Sequence, residues 1–137
     1  MSEILVNKLT GTSTAGSILV TGEGNSTTTN LQQGLAKAWM NLNGTGTIAT
    51  RDTFNVSSVA DQATGKYLMS FSSSMGNDDY SVSGGARTPG VLSGIINSPS
   101  DAASDMATGS ISLYGLNVSG NPSDLSYVLT NVHGDLA

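Results

Sequence analysis

The chain carries one histidine, His133, and no cysteine. A Ser-His-Asp relay can be drawn on paper from His133, the imidazole taking a proton from a serine hydroxyl and a carboxylate orienting the ring. Serines occur throughout, so such a drawing has little meaning by itself. No GxSxG elbow presents one of them on a strand-to-helix turn. His133 therefore reads as a surface or rim side chain near the end of a strand. The one adjacent carboxylate pair is Asp78-Asp79. Neighbours on a strand point to opposite faces, so these two are poorly placed for joint acid–base work. In MGNDDY they read as caps of a turn. Asn77, Asp78 and Asp79 offer the oxygen ligands calcium prefers, without the spacing of an EF-hand loop. Asp101 and Asp105 stand four apart and would repel each other on a helix face. No catalytic residue, no metal and no cofactor is expected.

The glycine-rich stretches lead to the same result. Gly44-Thr45-Gly46-Thr47 lacks the terminal Lys-Ser/Thr and the following helix of a phosphate loop. Gly84-Gly85 follows a strand without a dinucleotide fingerprint. Four N-x-S/T sequences, at Asn25, Asn43, Asn55 and Asn117, are what chance produces in so Ser/Thr-rich a chain. Trp39 is the last candidate. An exposed Trp can stack on a sugar or anchor an interface, but it more often belongs to a core or a subunit contact.

The elements that position these residues are mostly strands. KYLMSFSSSM places Tyr67, Met69 and Phe71 on one face and Leu68, Ser70 and Ser72 on the other, the period of a half-buried strand. Residues 36–42 alternate in the same way, with Ala38, Met40 and Leu42 opposite Lys37, Trp39 and Asn41. The NGTG that follows is a hairpin-type turn, and a short helix is allowed near 30–35. Phe54 and Val56 are expected to share a strand face. DYSVSGGA, VLSGII, GSISLYGLNVSG and LSYVLTNVHG supply further strands. In the last, Val128, Thr130 and Val132 share a face, while Gly115 suggests a bulge or kink. SPSDAASDMA reads as a helical turn or a loop. EILVNKL and SILVTG read as two short strand-like pieces, with EGNSTTTN as a loop. Short strands separated by Gly, Asn and Asp turns predict an all-β chain: an antiparallel, jelly-roll-like β-sandwich over residues 34–137, with an extended N-terminal arm over 1–33.

Composition sets the limits. Leu, Ile, Val and Phe make up about a fifth of the 137 residues, near the boundary with disordered chains, while the net charge of −5 is too small for charge-driven disorder. A thin core gains burial by associating with copies of itself. All five basic residues lie within 1–87, and they are not clustered as a nucleic-acid surface requires. The N-terminus, MSEILVNKLTG, lacks the basic region and long apolar run of a secretory signal. No apolar run approaches the length of a membrane span. Neither nucleic-acid binding nor membrane insertion is expected, and the chain reads as a non-enzyme.

The order Lys37-Ala38-Trp39, the Asn41–Gly46 turn, Arg51-Asp52-Thr53-Phe54-Asn55-Val56-Ser57-Ser58, the Gly65–Phe71 strand and Tyr80-Ser81-Val82-Ser83 resembles a module of tailed bacteriophages, especially those of marine and cyanobacterial hosts. The likeness covers residues 36–86, and the opening SEILVNKLTGTSTAGSI also looks like the start of such phage proteins. It implies a virion structural protein made in the host bacterial cytoplasm, of tail-fibre or appendage type. Such proteins are commonly homotrimers that contact other tail or capsid proteins through the N-terminus and present a β-rich part outward, for host attachment and in some cases a host surface glycan. Ile4, Leu5, Val6, Leu9, Ile18, Leu19 and Val20 would then belong to the attachment arm. Trp39, Phe54, Val56, Tyr67, Met69 and Phe71 would form the core or a subunit interface, and Arg51 and Asp52 would pair with neighbours. The chain is short and has no evident shaft repeat or coiled coil. A capsid decoration or adaptor role, or a free carbohydrate-binding β-sandwich, therefore stays open.

Overall fold

A computed structural model describes residues 3–13, 18–22, 24, 26–88, 91–97 and 106–137, with the backbone alone over 91–97. Asn25, Asp101, Asp105 and most of the segment read as a helical turn lie outside the described residues. The chain divides into two compact units, residues 1–35 and 36–137.

In the first unit, β1 (Leu19–Thr21) pairs antiparallel with β2 (Thr28–Asn30), in the register Leu19 to Asn30. The strand expected in EILVNKL does not form, and its Ile4, Leu5, Val6 and Leu9 are exposed. A strand needs a neighbour's ladder to satisfy its backbone groups, and within this unit the ladder is taken by TTN, the end of the segment read as a loop. Asn30 then starts α1 (Leu31–Gly34), its Oδ1 accepting the N–H groups of Gln32 at 2.8 Å and Gln33 at 3.3 Å. A side-chain cap of this kind satisfies donors that a four-residue helix leaves open.

The second unit is an all-β sandwich in which every strand pairing is antiparallel. One layer runs β4 (Ala49–Phe54), β3 (Ala38–Asn43), β11 (Tyr127–His133), β7 (Ser81–Thr88). The other runs β10 (Ser110–Leu116), β6 (Lys66–Phe71), β5 (Val56–Ala63), with β9 (Met106–Ala107) added to β10. Two corners join the layers. At one, β8 (Val91–Asn97) pairs through Val91 and Gly94 with β7 and through Ile95 to Asn97 with β10, so a single strand belongs to both sheets. At the other, β4 runs directly into β5 through one residue, Asn55, whose φ of 55° is left-handed. Strands that switch sheets at bends and bulges are how packed sheets turn corners.

The alternation read in the sequence decides which side chains fill the space between the layers. Ala38, Met40 and Leu42 of β3, Val128, Thr130 and Val132 of β11, and Tyr67, Met69 and Phe71 of β6 are buried, as are Ile111 and Leu113 of β10. Each large apolar side chain so buried stabilises the fold by about 1.5–3 kcal/mol. Three further core members come from loops: Met75, Tyr80 and Leu125. Tyr80 meets Phe71 edge-on at 5.8 Å, and its hydroxyl lies 3.1 Å from the carbonyls of both Ala107 and Ser110. Burial pushes the pKa of that hydroxyl up to about 12.

Among the described residues, Thr130 Oγ1 is the buried side-chain polar atom that lacks a hydrogen-bond partner. Burying an unpaired hydroxyl costs about 1–3 kcal/mol. Thr130→Val keeps the side-chain shape and removes that atom, so it is expected to raise the free energy of unfolding by about 1 kcal/mol in urea denaturation. A fall in stability would mean that the hydroxyl has a partner in solution.

Candidate functional site

The groups that the sequence offered for catalysis are not brought together. His133 ends β11 on the outer face, half-buried opposite Ser81, and its imidazole makes no hydrogen bond among the described residues. Asp78 and Asp79 sit in an exposed turn whose closing contact comes from their neighbour: Asn77 Oδ1 accepts the N–H of Asp79 at 3.0 Å. Among the described residues no three His, Asp or Glu side chains gather as a metal site. The Gly-Thr-Gly-Thr run joins β3 to β4, and Asn43 Oδ1 accepts from Thr45 Oγ1 at 2.9 Å inside that loop. Asn55 and Asn117 are likewise engaged in backbone contacts.

One end of the sandwich is held by a polar cluster, buried at Gly44, Gly65 and Tyr67 and open to solvent at Asp124. The Tyr67 hydroxyl lies 3.0 Å from the carbonyl of Gly44 and 3.1 Å from Asp124 Oδ1, so its one proton serves two acceptors. The same Asp124 oxygen accepts the N–H of Gly65 at 2.7 Å. Burial, with the Asp124 charge beside it, holds the Tyr67 hydroxyl well above the usual phenol range. A phenol locked in its protonated form is a hydrogen-bond donor and is not available as a base. The cluster positions three loops, and Gly44 packs directly on the Tyr67 ring, where a Cβ would run into the hydroxyl.

A cleft of about 330 Å³ lies inside the Asn55 corner, lined by Leu42, Ile48, Thr50, Thr53, Val56 and Val59 among others. Its lining holds no titratable side chain, so it offers aliphatic contact and hydroxyls and no proton transfer. Asn55 fixes the corner. Its Nδ2 donates to the carbonyls of Lys37 and Ser73, both at 3.0 Å, and its Oδ1 accepts the N–H of Ser73 at 2.7 Å.

The outer face of the first layer carries the other candidates. Trp39 and Phe54 stand opposite each other across β3 and β4, and both have left the core: Trp39 is half-buried and Phe54 is 51% exposed. Trp39 follows from its parity, since Ala38 and Met40 take the inward positions beside it. Phe54 was expected to share a face with Val56, but the left-handed Asn55 between them breaks the alternation. Val56 packs, half-buried, against the core. Farther along the face Tyr127 lies opposite Arg87. The register shift between Asn41 and Leu42 leaves Arg51 as the extra residue of a bulge. The Arg51 guanidinium carbon is 4.3 Å from the centre of the Tyr127 ring and that of Arg87 is 5.2 Å away. Arg51 donates to Asn41 Oδ1 at 3.4 Å and Asp52 Oδ1 accepts the adjacent N–H of Thr53 at 2.9 Å, and among the described residues neither forms an ion pair.

No family model, no curated protein and no solved structure matches this chain. The geometry alone therefore ranks the surfaces. The outer face has aromatic rings, amides and two cations within reach of solvent. The Tyr67 cluster and the Asn55 corner hold backbone. Sequence reading missed the grouping of Arg51, Tyr127 and Arg87, and the one signal for it was that two of the chain's five basic residues fall on β4 and β7.

Proposed function

We propose that the chain is a structural protein of a tailed-phage virion, an appendage subunit that assembles as a homotrimer. In this reading residues 1–33 attach to the particle and the sandwich is presented outward, without enzymatic activity. The observation that carries it is the state of the N-terminal unit. Ile4, Leu5, Val6, Leu9, Leu19, Val20 and Leu35 are all exposed, with Ile4 at 84% and Leu5 at 83%. So many exposed apolar side chains in one short unit suit a segment that is covered by something else. The module-like order over residues 36–86 supports the phage assignment.

Two measurements test the reading. Antibodies against the chain are expected to label intact purified particles; unlabelled particles that carry no copies by mass spectrometry would remove the virion role. The native mass of the purified chain is expected to be three times that of one chain and to hold on dilution. A monomer that persists at high concentration would remove the trimer and leave a decoration or adaptor role on the particle.

A further inference from the structure

The end of the outer face at Tyr127 gathers positive charge that no ion pair among the described residues compensates. Arg51 and Arg87 both lie within about 5 Å of one ring, at 4.3 and 5.2 Å, and among the described residues neither is in ion-pair contact with a carboxylate. Asp52 shares the face, but its carboxylate is turned to the N–H of Thr53. In a chain of net charge −5, two of five basic residues converge on one spot from strands 36 positions apart. Arg51 reaches the ring from the β4 side of β11 and Arg87 from the β7 side, and an anionic group beside the ring is attracted by both.

The rest of the strip indicates what kind of anion. Outward of Tyr127, β11 presents Leu129 and Asn131, and β3 presents Asn41 and Trp39 in register with them. Phe54 borders Trp39 on β4. Four residues of strand separate Tyr127 from Asn131, which at roughly 3.3 Å per residue makes a strip about 13 Å long. It has an aromatic ring at each end and amides between. Guanidinium groups take carboxylates in bidentate fashion, amides both donate to and accept from hydroxyls, and a Trp face accepts the C–H face of a saturated ring. We propose that this strip binds an acidic oligosaccharide, with carboxylates of uronate-type sugars on Arg51 and on Arg87 to either side of Tyr127 and a further ring against Trp39. An acidic peptide would use the arginines equally well but would gain little from the aromatic end.

Trp39 is the only Trp of the chain, so its fluorescence reports on the strip directly. The full chain is titrated with trigalacturonate, with the neutral trisaccharide trigalactose and with triglutamate. The expected result is a saturable change in Trp39 emission with trigalacturonate, with affinity about tenfold or more weaker for trigalactose, which lacks the charge-assisted hydrogen bonds, and weaker for triglutamate, which has no sugar ring to place against Trp39. Arg51→Gln and Arg87→Gln are each expected to weaken trigalacturonate binding about tenfold while the circular dichroism spectrum is unchanged. The proposal is overturned by the absence of a saturable response, by equal binding of trigalactose or triglutamate, or by wild-type affinity in both arginine variants. It rests on the reading above only in that the sandwich faces outward, and the two fail separately. A trimer found on particles but indifferent to trigalacturonate loses this site and keeps its virion role; a monomer absent from particles that binds the probe does the reverse.

Discussion

Gly65→Ala is expected to lower the free energy of unfolding by about 3–5 kcal/mol, enough to leave a thin-cored domain largely unfolded at 37 °C. Two effects add. Gly65 has a φ of +68°, where a residue with a Cβ costs roughly 1–2 kcal/mol. A Cβ there would also stand 2.5 Å from the carbonyl oxygen of Gly115 and 2.6 Å from the backbone nitrogen of Ser123. Neither is the end of a side chain that can rotate away. Both belong to a hydrogen-bonded knot in which Gly115 N–H donates to Gly65 O at 2.7 Å and Ser123 N–H donates to Gly115 O at 2.9 Å. Making room would break that knot together with the Gly65 contact to Asp124. Gly46→Ala is the control. Its φ is +63°, but nothing lies within 4 Å of the added Cβ, so the expected cost is only the conformational 1–2 kcal/mol. Urea denaturation of both variants separates the terms. If they lose equal stability, close packing at Gly65 contributes nothing.

The same knot illustrates what a reader of the sequence can and cannot see. Gly115 interrupts two alternating runs and suggests a kink, yet β10 passes through it unbroken. The glycine is required by an approach from Ser123, whose carbonyl would lie 2.9 Å from a Cβ, and tertiary approach of this kind leaves no local trace. Alternation was legible wherever one face of a strand is dry. Tyr67, Met69 and Phe71, or Val128, Thr130 and Val132, announce their inward positions because a period of two has no other use there. Tyr80 shares the inward parity of Val82 just before β7, but Met75 and Leu125 lie in irregular segments where no period marks burial, although they too complete the core. The outer face was legible only in part. That Trp39 and Asn41 share a face is local information. That Arg51 reaches Tyr127 depends on one bulge and on the register of β11, set by contacts more than seventy residues away in sequence.

Asn55→Ala is expected to cost about 3–4 kcal/mol, because the residue does two jobs at the corner where β4 becomes β5. Its side chain makes three hydrogen bonds to backbone of Lys37 and Ser73, each contributing about 1 kcal/mol. Its backbone is left-handed, a conformation that Asn tolerates better than Ala. Asn55→Gly removes the first contribution and spares the second, so it is expected to be about 1 kcal/mol more stable than Asn55→Ala. A series in which Ala equals wild type would show that the corner is held by the flanking strands alone. The positions around Asn55 suggest otherwise. Arg51 is the extra residue of a bulge four positions before it, and Ser57 is the extra residue of another two positions after it. Ser57 Oγ lies 3.2 Å and 3.1 Å from the carbonyls of Ser70 and Phe71. Two bulges and a left-handed residue within seven positions make a device for bending one chain from sheet to sheet. The run from Arg51 to Ser58 is thus a fold-closing element.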